Sequence, residues 1–228
     1  MGDINQLDFI STHRKQCQGS FLEVGSHDYG STQNIRRIFA GDDYAGEDYI
    51  GIDINDGANV DLVLDLTQSF EKIDKALGGR RFRTIFCLSV LEHCDQPFVM
   101  AEHMSQLLAP GGRIFISVPF AWKFHGYPSD YWRFTHEGVK KLFPDLVFNN
   151  ASDNMSTSRR HERRELNEDI GIIAISSHWH RKLGHPARAI SVMLLRLLTR
   201  VGVLRWLVGY RYVMAPTMIN MVGIKPEK

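Results

Sequence analysis

Residues able to do chemistry recur in this 228-residue chain at the ends of short apolar runs. The run FLEV carries Glu23 and leads into Gly25, Ser26, His27, Asp28, Gly30 and Ser31. YIGIDI ends on Asp53 and Ile54, and VDLVLDL runs through Asp65 to Leu66. TIFCL ends on Leu88 and delivers Ser89, Glu92 and His93. RIFISV opens into PFAWKFHGYPSDYWRFTHEG, which holds His125, Asp130 and Tyr131. A glycine after an apolar run lets a ligand lie against bare backbone, and the amides of a following helix face it. Asp53 is an acceptor suited to two ribose hydroxyls, and Asp65 with the Leu66 backbone suits the edge of an adenine. There is no GxxxxGK[ST] and no lysine in the first turn, and Asp28 there would repel a pyrophosphate, so the pattern favours a nucleoside without phosphates. His125 is the candidate general base, because a neutral imidazole takes a proton from a hydroxyl near neutral pH. Asp130 would orient it, with Tyr131 beside them.

These residues need a scaffold that brings several strand ends together. Apolar strands at 21–24, 49–54, 60–66, 84–88 and 113–118 alternate with helices at 32–39, 70–77 and 97–108, preceded by a helix over 3–17. Such alternation predicts a parallel α/β sheet covered on both faces. Ligands of such sheets sit beyond the C-terminal strand ends, which is where the polar residues fall. A helix capped by Thr135 and ending before Pro144 follows, then a short strand at 147–150. Residues 152–170 are polar without apolar period and read as an exposed loop. A strand at 172–175, a helix with apolar positions at 190, 193, 194, 197, 201 and 204, and a closing strand at 218–224 complete the chain. We read residues 1–228 as a single domain, with a core over about 18–150, a loop over 151–170, a basic apolar helical insertion over about 180–214 and a last strand over 217–225.

Composition is that of an ordinary globular protein, and a net charge of +1 gives no global reason to bind nucleic acid. Charge is nevertheless segregated: residues 171–228 hold nine Lys/Arg and one acid, against 18 and 25 before them. The C-terminal helix is thus either a cover for the body or a peripheral contact with an anionic membrane surface. The cysteines Cys17, Cys87 and Cys94 lack ligand spacing and read as reduced thiols of a cytoplasmic protein. The N-terminus lacks the pattern of a secretion signal, and no cluster of His, Asp or Glu has the spacing of a metal site.

Taken in order, FLEVGSHDYGS, YIGIDI, VDLVLDL, CLSVLEH and LLAPGGRIFISVP resemble the class I S-adenosylmethionine-dependent methyltransferases over roughly residues 20–120. The resemblance implies a Rossmann-like, doubly wound, mostly parallel sheet with helices on both faces, an antiparallel last strand and a C-terminal helical insertion. It implies S-adenosylmethionine as cofactor, with Glu23, Gly25, Ser26, His27, Gly30 and Ser31 near its methionine part. Asp53 and Ile54 would lie at the ribose, Asp65 and Leu66 at the adenine, and Leu88, Ser89, Glu92 and His93 beneath the cofactor. The aromatic stretch resembles that of small bacterial methyltransferases acting on glycans or natural products, which implies a small-molecule or glycan acceptor. The family's acid-x-Gly-x-Gly-x-Gly turn departs here, since His27 replaces the second glycine and the third is displaced to Gly30. Bland readings stand beside these: Glu92 and His93 as a packing and capping pair, His125 bonded to a backbone carbonyl, and Pro128-Ser129-Asp130 as a turn. A nicotinamide-dependent oxidoreductase and a non-catalytic cofactor-binding scaffold are the alternatives. The first wants a middle glycine that Gly25-x-x-x-x-Gly30 lacks.

Overall fold

The computed structural model describes residues 4–30, 34–39, 48–126, 128–149, 153–159, 162–166, 170–174, 176–182, 184–200, 202 and 212–227. Five strands form the parallel part of the sheet: β1 (Phe21–Val24), β2 (Tyr49–Asp53), β3 (Leu62–Val63), β4 (Phe82–Leu88) and β5 (Leu108–Ala121). β10 (Thr217–Ile224) runs antiparallel beside β5, and the full order is β3-β2-β1-β4-β5-β10, continued by β6 (Met155–Arg159) and β7 (Glu162–Glu165). Because β1 to β5 are parallel, their C-terminal ends share one edge, and every polar strand end singled out above is delivered there.

Side chains alternate between faces along each strand, and here the alternation also sorts residue types. Leu22, Ile85, Cys87, Ile114 and Ile116 face one layer. It is built from α3 (Phe70–Ala76), α4 (Pro97–Leu107) and α5 (His136–Leu142). The intervening Phe21, Phe86 and Phe115 face the other layer, where they meet Phe9 and Ile10 of α1 (Ile4–His13) and Ile35 of α2 (Ile35–Ile38). Pro97 opens α4, where its missing N–H costs nothing. Thr135 caps α5 as expected, its hydroxyl accepting from the Gly138 N–H at 3.0 Å.

Three expectations change. The polar stretch 152–170 is not a plain loop, for it contains β6 and β7 paired as a hairpin at the sheet edge. β10 is buried along its length and needs a partner on its second side. Met155, Ser156 and Thr157 supply it through backbone bonds, and Asn220 Nδ2 donates to Thr157 Oγ1 at 2.7 Å. The charged outer strand ERRE blunts the exposed edge. The third strand, read from 60 to 66, shrinks to two laddered residues. The Asp61 carboxylate accepts from the Gly51 N–H, and Asp65 turns the chain by accepting from Thr67. Of the strand expected at 147–150, the described residues 147–149 hold one bridge, Val147 with Ile224. The strand at 172–175 is β8 (Ile172–Ala174), and it pairs away from the main sheet with β9 (Tyr212–Met214).

Between these lie α6 (Ser177–Lys182) and α7 (Pro186–Arg200). α7 buries Ala189 and Thr199 but leaves Ile190, Met193, Leu194, Leu197 and Leu198 each about half exposed. No helix among the described residues is long and apolar enough to cross a membrane.

Candidate functional site

The turn after β1 is built around Gly25, whose φ of +75° is left-handed and whose added Cβ would overlap the Val90 side chain. Only glycine meets both demands. Glu23, the penultimate residue of β1, is 7% exposed, and its Oε2 accepts from Tyr49 Oη at 2.6 Å and Asn59 Nδ2 at 3.1 Å. Burial pushes its carboxyl up to about 7, against the pull of those two donors and of Arg36. Asn59 also donates to the Ser26 carbonyl at 3.0 Å, so it ties strand and turn together. Its left-handed φ of 71° is the only trace it leaves of this role, and the DGAN turn was its one sequence signal.

The bulk that replaces the family's second glycine is absorbed locally. The His27 ring lies edge-on to Tyr29 at 4.1 Å and fills the space over Gly57, where a Cβ would overlap it. Asp28 does not face outward as a bare charge: its Oδ1 accepts from the Gly30 N–H and its Oδ2 from Asn34. Ser31 lies outside the described residues. Asp53 accepts from the Asn55 amide at 2.9 Å on Oδ1 and the His27 amide at 3.3 Å on Oδ2. Those bonds fix the carboxylate and leave it lone pairs for a ligand. Ile54 beside it is 56% exposed, an apolar surface at a polar strand end. Asp65 is held by its turn to Thr67, and the Leu66 carbonyl accepts from His103 at 2.8 Å.

At the exit of β4, Leu88 is half-buried and Ser89 adopts φ +55°, rare for a serine and a conformation held only where the surroundings impose it. Those surroundings include Gln6 of α1, which sequence reasoning missed. Its amide donates to Ser89 Oγ at 2.5 Å and Ser117 Oγ at 3.1 Å, and Ser117 passes a bond to Asn220 at 2.7 Å. A buried polar chain thus links the first helix, β4, β5 and β10. Nothing in the sequence around Gln6 marks it, because its partners lie 83 and 111 residues away.

The segment after β5 is clasped onto the turn Leu91–His93. The Glu92 carbonyl accepts from the Tyr131 N–H at 2.8 Å, His93 Nδ1 meets the Ser129 carbonyl at 2.5 Å, and Trp132 Nε1 donates to the Cys94 carbonyl at 2.7 Å. His125 is held by Asp130, whose Oδ2 lies 2.8 Å from its backbone nitrogen and 3.1 Å from Nδ1. Nδ1 also lies 3.2 Å from the Lys123 carbonyl. Arg133 grips both oxygens of Asp130, at 2.5 and 2.7 Å, and holds that carboxyl well below the usual range. The Tyr131 side chain is 55% exposed, so what the structure ties down there is its backbone.

Glu92 is fully buried and neither carboxylate oxygen has a well-formed hydrogen bond, although the Ser89 hydroxyl and its own backbone N–H favour its charged form. Burial pushes it up to about 7, and burial likewise lowers His93. No metal spacing is visible in the sequence, yet the fold gathers ligand atoms of Glu92, His93 and His125 within 4.8 Å of one another. The two imidazole rings stand 5.0 Å apart.

The residues present fit a nucleoside cofactor carrying an amino acid. Ser26 Oγ and His27 Nδ1 are buried without hydrogen-bond partners, beside a pinned aspartate. The methyltransferase domain family model matches residues 7–171. No curated protein matches the chain. Solved structures with the same fold include the N-methyltransferase NodS from Bradyrhizobium japonicum WM9 in complex with S-adenosylhomocysteine (10% identity, 98% of this chain and 86% of that one, TM-score 0.50). Another is the Burkholderia thailandensis 1,6-didemethyltoxoflavin-N1-methyltransferase (13% identity, 99% and 80%, TM-score 0.50). A third is a SAM-dependent methyltransferase from Archaeoglobus fulgidus (15% identity, 96% and 94%, TM-score 0.52). The chain belongs to the methyltransferase domain family, the S-adenosylmethionine-dependent class that its strand-end motifs resemble.

Proposed function

We propose that this methyltransferase transfers the methyl group of S-adenosylmethionine to an oxygen of a small-molecule or glycan acceptor. The observation that carries the reading is the convergence of pinned polar groups on one sheet edge, with His125 held over them by Asp130. When bound, the cofactor supplies an electrophilic methyl on a sulfonium. The chain's own residues do the rest. The Gly25–His27 turn, Gly30 and Glu23 hold the methionine end, Asp53 with Ile54 takes the ribose, and Asp65 and Leu66 frame the adenine. Leu88, Ser89, Glu92 and His93 form the floor. Alignment of donor and acceptor in a water-poor cleft supplies most of the acceleration.

Oxygen is favoured over nitrogen because a hydroxyl must shed a proton as it is methylated, whereas a neutral amine attacks with a free lone pair. His125 fits that need: Asp130 engages Nδ1, leaving the opposite ring nitrogen to take the proton. Phe124, Tyr131 and Trp132 are exposed around it and suit a sugar or flat ring. The basic, apolar outer side of α7 extends the reading to peripheral contact with an anionic bilayer.

Calorimetry with S-adenosylhomocysteine and with NAD tests the cofactor. We expect binding of the first alone, and binding of NAD alone refutes the reading. Methyl transfer from labelled cofactor to a panel of hydroxylated acceptors tests the base. His125→Ala is expected to lower kcat by about 100-fold or more, and unchanged turnover removes His125 from the reaction.

A further inference from the structure

We propose that Glu92, His93 and His125 bind a divalent first-row transition ion of the Zn2+ type. The inference rests on the methyltransferase reading for its use but not for its chemistry.

The ligand atoms of the three side chains already lie within 4.8 Å of one another, with Glu92 Oε1 4.0 Å from His93 Nε2. In a tetrahedral site with bonds of about 2.0–2.1 Å, ligand atoms stand about 3.3 Å apart, so closure by roughly 1 Å at each side chain completes it. A carboxylate and two imidazoles, with a remaining position open, is the donor set of a catalytic zinc site or of an iron facial triad.

Two further features point the same way. Glu92 is buried with both carboxylate oxygens lacking well-formed hydrogen bonds, and a buried carboxylate in that condition is stabilised by a cation. The neighbouring guanidinium of Arg133 is committed to Asp130. Each histidine also has its Nδ1 engaged by an oxygen: Ser129 O for His93, and Asp130 Oδ2 with Lys123 O for His125. That pattern fixes the tautomer and presents the opposite nitrogen as a lone pair, as the outer partners of metal-bound histidines do.

The ion deepens the reaction. With it bound, the His125 lone pair that serves as base in the metal-free protein is a ligand instead. An acceptor hydroxyl on the open position is acidified and gives its proton to water. The alkoxide oxygen forms the bond to the methyl carbon, the carbon–sulfur bond breaks, and its electron pair stays on sulfur. No electron is lost or gained overall.

The test uses the full chain, freed of metal with a chelator and titrated with Co2+ and then Zn2+. We expect one equivalent of Co2+ to bind with the ligand-field absorption of a four- or five-coordinate site, and Zn2+ to displace it. Glu92→Gln and His125→Asn should each weaken binding at least tenfold, and Asp130→Asn by about 10–100-fold through the orientation of His125. Absence of Co2+ and Zn2+ binding by the wild type overturns the proposal, and so does binding that survives unchanged in these variants. S-adenosylhomocysteine calorimetry on the same wild-type sample keeps the two readings apart. Cofactor binding without metal binding refutes the ion site alone, whereas failure of both refutes the methyltransferase reading as well.

Discussion

Glu23 makes a prediction with a definite sign. A carboxyl that titrates near its ordinary 4.5 in the unfolded chain and at about 7 in the folded one stays protonated in the fold across that interval. The folded state then binds more protons than the unfolded state, so stability falls as pH rises. The contribution is fully present below about pH 4.5 and is lost by about pH 7, and it amounts to about 3 kcal/mol. Burial drives the shift; Tyr49, Asn59 and Arg36 oppose it, and Asp28 adds to it. Glu23→Gln keeps the shape and the acceptor for Tyr49 and Asn59 but cannot ionise. In urea denaturation of the cofactor-free, metal-free protein, wild type and variant should have similar midpoints at pH 5. At pH 8 the variant should be more stable by about 3 kcal/mol, a midpoint shift of about 1 M for an m-value of 2–3 kcal/mol/M. Glu92 titrates in the same direction in both proteins and cancels in the comparison. A wild type as stable as Glu23→Gln at pH 8 would mean that the Tyr49 and Asn59 hydrogen bonds outweigh burial, and the reasoning would be refuted.

Gly25→Ala should cost about 2–3 kcal/mol, part from a left-handed alanine and part from the overlap with Val90. The loss should be smaller by about 1 kcal/mol in a Val90→Ala background, and equal losses in a double-mutant denaturation cycle would reject this packing. Gly57→Ala should displace the His27 ring and weaken S-adenosylhomocysteine binding severalfold, with His27→Gly restoring it; calorimetry that shows no change in Gly57→Ala rejects the contact. The wild type should co-sediment with anionic vesicles and the Arg196→Glu/Arg200→Glu variant should not, since both arginines flank the exposed apolar side of α7. Failure of the wild type to co-sediment ends the membrane reading.

The parallel sheet was legible because buried strands such as TIFCL and RIFISV write their period into the sequence without help from distant residues. Phe86 sits between Ile85 and Cys87, and Phe115 between Ile114 and Ile116, so local alternation already separates the two faces. The hairpin of β6 and β7 was not legible for the converse reason. MSTSR and ERRE have no apolar face of their own; MSTSR is a strand because β10 offers an unpaired edge more than 50 residues further along, and ERRE pairs onto MSTSR. Backbone bonds carry that pairing, and backbone bonds leave no composition signal.

The candidate site divides along the same line. Glu23, Gly25, Asp53, Asp65 and the pair Glu92–His93 could be named as candidates because strand ends are local features, and the parallel topology alone puts those ends along one edge of the sheet. What joins them could not. Gln6 reaches Ser89 across 83 residues, and Asn59 reaches Glu23 across 36. His125 was singled out for its place after β5, but its proximity to His93 and Glu92 arises from the clasp made by Ser129, Tyr131 and Trp132 on the turn Leu91–His93. A metal-ligand spacing in sequence presumes that ligands share a helix or a loop. Here an adjacent pair and a residue 32 positions on are brought together by backbone carbonyls accepting from a neighbouring segment, so a ligand set of this kind becomes visible only once the clasp is seen.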